Sequence, residues 1–199
     1  MAFCTGYAVW MYQTWLPAYL EMQQHVSIAR TGVLASVPLI CSILGSFAGG
    51  HVSDWLVARG VGLVASRKWP AVVGLLASGL FTAIAMTARS GGEAVTFMSA
   101  AMFFLSLGIA GKWTLITAVA PQSYATSAAS IQNFGGYIGG TLSPIATGMV
   151  VDATGSFVFA LAIGAIITVL GACILVFMLR SPISVADLEP STAATVPAQ

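Results

Sequence analysis

The sequence predicts an all-α, polytopic membrane protein of about six transmembrane helices. Only 7% of its 199 residues are charged while 58% are hydrophobic, where a soluble globular chain would carry roughly a quarter charged residues. Those few charges fall between long uncharged runs. No stretch alternates polar and apolar residues as the strands of a membrane barrel do. A bilayer core about 30 Å thick needs about 20 helical residues, and a charge at its centre costs roughly 2.5 to 3.5 kcal/mol. The uncharged runs have that length.

In chain order, the first helix covers roughly residues 1 to 20 and is closed by Glu21. The second, 31 to 51, begins after Arg30 and ends before Asp54. Arg67 and Lys68 precede the third, 70 to 88, and Arg89 follows it. The fourth, 94 to 119, starts after Glu93 and contains Lys112, the one charge that interrupts a run. The fifth, 128 to 150, closes before Asp152, and the sixth, 157 to 179, before Arg180. Residues 1 to 180 are thus expected to form one six-helix bundle. Residues 181 to 199, with Pro182, Pro190 and a Ser/Thr/Ala-rich composition, lack apolar periodicity and read as a disordered tail.

Six spans place both termini on one side, together with a loop at 52 to 69 that carries Arg59, Arg67 and Lys68. Arg180 joins them, against Arg30 and Arg89 opposite. The positive-inside bias assigns that side to the cytoplasm of a cell (inner) membrane. Trp15, Tyr19, Trp55, Trp69 and Trp113 fall mostly near span ends, where amphipathic rings favour the interface, while Trp10 lies mid-span. Met1, Ala2 and Phe3 run straight into a long helix, so no cleavable leader is expected.

Several function classes lose support at this point. A net charge of +1 without a basic block leaves no footprint for nucleic acid. Cys4, Cys41 and Cys173 lie in spans without disulfide or ligand spacing, and His25 and His51 have no partners at ligand spacing. No metal or cofactor is therefore expected. No nucleophile and base pair is discernible, so an enzyme is not expected either.

Gly50-His-Val-Ser-Asp54 and Gly148-Met-Val-Val-Asp152 both read G-x-x-x-D at a helix exit, about half the chain apart. On the topology above they lie on opposite faces, as two inverted three-helix units would place them. Chance is the alternative for two matching positions.

The stretch from Gly49 to Pro70 reads GGHVSDWLVARGVGLVASRKWP. Physically it can serve as a hinge latch: Gly50 lets helices approach closely, Asp54 can face a neighbouring helix N-terminus, and Arg59, Arg67 and Lys68 hold the basic end. An ordinary positive-inside loop would explain the basic residues but not the Gly-Gly-x-x-Ser-Asp prefix. This segment resembles the loop between helices eight and nine of major facilitator superfamily transporters, most closely the anion:cation symporter family. Trp15-Leu-Pro-Ala-Tyr19-Leu20 is similar to that family's seventh helix. Ala120-Pro121, Gln132-Asn133-Phe134-Gly135-Gly136 and Gly139-Gly140-x-x-x-Pro144 are similar to its helices ten and eleven. The resemblance covers nearly all of 1 to 180, but only the C-terminal six helices of a twelve-helix fold.

Substrate contacts inside a membrane cavity need polar groups near mid-depth. Gln13 lies about twelve residues into its span, near the midplane at 1.5 Å per residue, and offers both a donor and an acceptor. Asn133 resembles a family position that faces the central cavity. For both, an interhelical hydrogen bond is the competing role. Gln132 points about 100° away from Asn133 and serves the same ligand less well. Lys112, roughly 12 Å deep, can attract an organic anion or snorkel towards the interface, and a lysine there departs from the family pattern.

The resemblance implies alternating-access transport of a small organic anion, a sugar acid or another carboxylate, coupled to a cation in the full-length protein. It places the main anion-binding arginine and the coupling acid in an N-terminal half. Every Asp and Glu here lies at a span end or in the tail. The expected partners are accordingly the lipid bilayer, the anion, and an N-terminal six-helix half or a second copy. This chain alone is not expected to transport. The alternative is a membrane scaffold or regulatory half-transporter that binds a partner without moving solute.

Overall fold

Among the described residues, 1–178 without the side chains of Trp113 and Thr117, every regular element of the computed structural model is helical. The order is α1 (Ala2–Met22), α2 (Ile28–Ala58), α3 (Leu63–Ala85), α4 (Gly91–Ala110), α5 (Lys112–Val119), a 3-10 turn (Gln122–Tyr124), α6 (Ala125–Thr154) and α7 (Phe157–Met178). The expected tail at 181 to 199 and Arg180 lie outside the described residues. By length and composition, α2, α3, α4 continuing through Ile116, and α7 can each cross a bilayer. α1 and α6 have the length but carry more polar residues.

Two expectations change. The loop at 52 to 69 is mostly helix: α2 continues to Ala58, α3 begins at Leu63, and only residues 59 to 62 connect them. Charged residues here ride on helix ends that outrun the apolar run, so Asp54 and Asp152 lie in the last turns of α2 and α6 rather than beyond them. The stop signal for α2 is Gly60, at φ +83°. Its N–H bonds the Val57 carbonyl while the Val61 N–H reaches Leu56, the two-bond closure that a left-handed glycine permits. The expected fourth helix is likewise interrupted, at Gly111, into α4 and α5. At the start of α4, the Ser90 hydroxyl accepts from the Glu93 N–H (3.3 Å) and the Glu93 carboxylate accepts from the Arg89 N–H (2.9 Å), a capping arrangement that satisfies two end donors.

Helices in lipid gain little from burying apolar surface against each other, so they associate where small residues let backbones touch. A Cβ on Gly45 or Gly49 of α2 would overlap the Phe103 or Leu107 carbonyl of α4. One on Gly139 of α6 would overlap the Phe3 carbonyl of α1, and one on Gly6 of α1 would overlap the Gly136 carbonyl. Gly140 accepts the Trp10 ring against its backbone, which accounts for a tryptophan at mid-span. Gly50, by contrast, has open space around it. The close approach expected of Gly50 belongs to Gly49, one residue and about 100° round the helix.

These seams make the inverted repeat visible. The middle helix of each unit packs on the first helix of the other, α2 along α4 and α6 along α1, while α3 contacts both α4 and α7. A shift of 98 positions carries Gly50 and Asp54 onto Gly148 and Asp152. The same shift carries the buried Gly45, Gly49 and Ser53 of α2 onto the buried Ser143, Thr147 and Val151 of α6. Leu20, Leu75, Met98 and Leu105 fill the centre of the bundle. The Tyr12 and Thr82 hydroxyls hydrogen-bond across α1 and α3, and the Trp15 indole N–H donates to the Pro144 carbonyl (3.2 Å) across α1 and α6.

Candidate functional site

Helical spacing assembles a polar cleft on one side of the bundle. On α1, Gly6, Trp10 and Gln13 fall on one face, and on α6 so do Asn133, Gly136 and Tyr137, because residues three and four apart are neighbours on a helix surface. With Lys112 from the start of α5, these faces line a cleft of about 340 Å³. The closeness of the α1 and α6 backbones at Gly6 and Gly136 brings the two polar faces together.

Three of the four expected substrate residues therefore meet in one place: Gln13, Lys112 and Asn133. Gln13 and Asn133 expose their side chains, and Lys112 is half-buried. Gln132 does not line the cleft; it is half-buried, and its amide nitrogen is buried without a hydrogen-bond partner among the described residues. Trp10 and Tyr137 supply the aromatic walls, and sequence reasoning had placed neither there.

The chemistry available is that of anion recognition. Lys112 brings an ammonium, and the two carboxamides can each donate to and accept from hydroxyl or carboxylate groups. Gly111 places this lysine at the α4–α5 break, and in membrane carriers such breaks are where backbone and side-chain polar groups serve a solute.

Among the residues expected to form a latch, Arg67 reaches α5 through Thr114. Arg67, in the second turn of α3, donates from Nη2 to Asp54 Oδ1 (3.4 Å), from Nε to Thr114 Oγ1 (3.0 Å) and from Nη1 to Ser66 Oγ (3.2 Å). Asp54 is thus paired with a guanidinium rather than with a helix N-terminus. Lys68 Nζ donates to the Val176 carbonyl near the end of α7 (2.9 Å), and the Arg59 guanidinium lies 3.9 Å from the centre of the Trp55 ring. Between them, Arg67 and Lys68 tie α3 to α2, α5 and α7. Gly50 takes no part in a close contact.

Comparison with known proteins follows the same lines. The Major Facilitator Superfamily profile matches residues 1–198. A probable L-galactonate transporter of Escherichia coli K12 is 35% identical over 179 residues, covering 90% of this chain and 40% of that protein. A probable galactarate/D-glucarate transporter of the same organism is 34% identical over 177 residues, 87% of this chain and 39% of its own length. A probable sulfoacetate transporter of Cupriavidus necator is 32% identical over 155 residues, 78% of this chain and 36% of its own length. The chain spans about 40% of the length of these relatives.

Proposed function

The chain belongs to the Major Facilitator Superfamily and is a multi-pass membrane protein, and on that premise we propose that it forms one half of a carrier for small organic anions, with the α1–α5–α6 cleft as its share of the substrate site. The observation that carries this reading is the convergence of Lys112, Gln13 and Asn133, from three helices, on a single cleft. The relatives' names place galactonate, galactarate, glucarate and sulfoacetate among their solutes. All of these are small anions, three with hydroxyl groups that suit a pair of carboxamides. Alternating access by rocking of two bundles around such a site, coupled to a cation, is the mechanism in view. The orientation that goes with it puts Arg59, Arg67 and Lys68 on the cytoplasmic side of the cell membrane.

A second six-helix unit, an N-terminal half or a second copy, completes the carrier.

The test is binding of labelled L-galactonate to membranes carrying the chain with its six-helix complement. Gln13→Ala and Asn133→Ala are each expected to weaken it about fivefold, the worth of one hydrogen bond of about 1 kcal/mol. A scaffold that moves no solute would show no change with either. In vesicles, uptake is expected only when the complement is supplied; robust uptake by this chain alone would overturn the half-carrier reading.

A further inference from the structure

Thr114 stands two residues beyond Lys112 on α5, which turns it through about 200°. The two side chains therefore leave opposite sides of one eight-residue helix. Lys112 lines the cleft. Thr114 Oγ1 accepts from Arg67 Nε at 3.0 Å, and Arg67 reaches on to Asp54 of α2. Just before them Gly111, where α4 gives way to α5, lies against Arg67 itself: a Cβ there would sit 3.5 Å from both the Arg67 Cβ and its carbonyl oxygen. α5 continues the span that α4 begins, and past Gly111 its seating is set by what it touches on α3.

We infer that Thr114 is a positioning residue for the cleft: by seating α5 on Arg67 it fixes where Lys112 stands, and it joins the anion site to the Arg67–Asp54 ion pair. The inference rests on the reading of the cleft as an anion site. Coupling of this kind is reciprocal. An anion that draws on Lys112 shifts α5 against Arg67, and loss of the Thr114 contact lowers anion affinity. Because Arg67 also holds α2, occupancy of the cleft is transmitted to the α2–α3 connection without any direct contact between ligand and latch.

The experiment compares L-galactonate binding by the assembled carrier as wild type, Thr114→Val, Thr114→Ser, Lys112→Gln and the Thr114→Val/Lys112→Gln double variant. Valine keeps the shape and removes the hydroxyl, and is expected to weaken binding about fivefold. Serine restores affinity to within about twofold, since the hydroxyl rather than the methyl group makes the contact. The double variant is expected to bind no more weakly than Lys112→Gln alone, because Thr114 acts through the lysine. Thr114→Ala serves the same comparison should valine crowd the seat on Arg67. Wild-type affinity in Thr114→Val, or a full additional loss in the double variant, overturns the coupling while leaving the cleft reading intact. An unchanged affinity in Lys112→Gln overturns the cleft reading, and the coupling with it.

Discussion

Gly45→Leu is expected to prevent the bundle from assembling, whereas Gly50→Leu leaves it intact. The two positions lie five residues apart on α2 and both belong to a glycine-containing stretch, yet only one of them is a contact. A side chain at Gly45 must enter the space held by the Phe103 carbonyl of α4. Backbone cannot swing aside as the end of a flexible side chain can. The α2–α4 seam would have to separate along its length, and with it one of the main contacts that tie the first three-helix unit to the second. Overpacking of this kind costs about 3 kcal/mol or more. At Gly50 nothing lies within reach of an added Cβ, and a side chain entering that open space should cost less than about 0.5 kcal/mol. Thermal unfolding in detergent, followed by the loss of a monodisperse species, reads the difference directly. Equal behaviour of the two variants would show that the seam is not where the structure places it.

The second large effect is on the ligand. Lys112→Gln keeps a polar, hydrogen-bonding side chain, slightly shorter than lysine's, and removes its charge, so it tests the ammonium as an anion partner. The expected result is a loss of at least about tenfold in L-galactonate affinity, equivalent to about 1.4 kcal/mol. A charged hydrogen bond in a partly desolvated cleft is worth at least that. The salt dependence of binding should weaken in parallel, because the screened charge is gone. A lysine that merely snorkels would leave affinity and salt dependence as they were.

How much of this was legible in the chain differs from feature to feature. The six-helix architecture was, because the bilayer forces charges to the ends of spans and most of the thirteen charged residues stand there. Helix ends were not, because Asp54, Arg67 and Lys68 look like loop residues although they stand within α2 and α3. The break at Gly111 left no polarity signal, since a glycine within an apolar run reads as more of the run. Choosing Gly49 over Gly50 as the contact required knowing which side of α2 meets α4, and one residue of rotation decides it. For the site, Gln13, Lys112 and Asn133 stood out as polar groups within apolar spans, and the structure gathers them into one cleft. Gln132 shares their polarity but not their face. Thr114 could not have been found in advance. Its hydroxyl is ordinary in sequence and gains meaning only from Arg67, which is 47 positions away.

The family expected from the Gly49 to Lys68 segment is the family to which the chain belongs, and the relatives' names give the solute class to test. What ties class to chain is the location of the site. The most direct measurement replaces Cys4, Cys41 and Cys173 with serine or alanine and introduces a single cysteine, at Tyr137 in the cleft or at Phe47 on the outer face of α2. Maleimide labelling rates are then measured with and without L-galactonate. If the cleft holds the anion, the sugar acid slows labelling of Tyr137→Cys and leaves Phe47→Cys unchanged. Equal rates with and without ligand at Tyr137→Cys, in a preparation that binds L-galactonate, would contradict the assignment of this cleft as the substrate site.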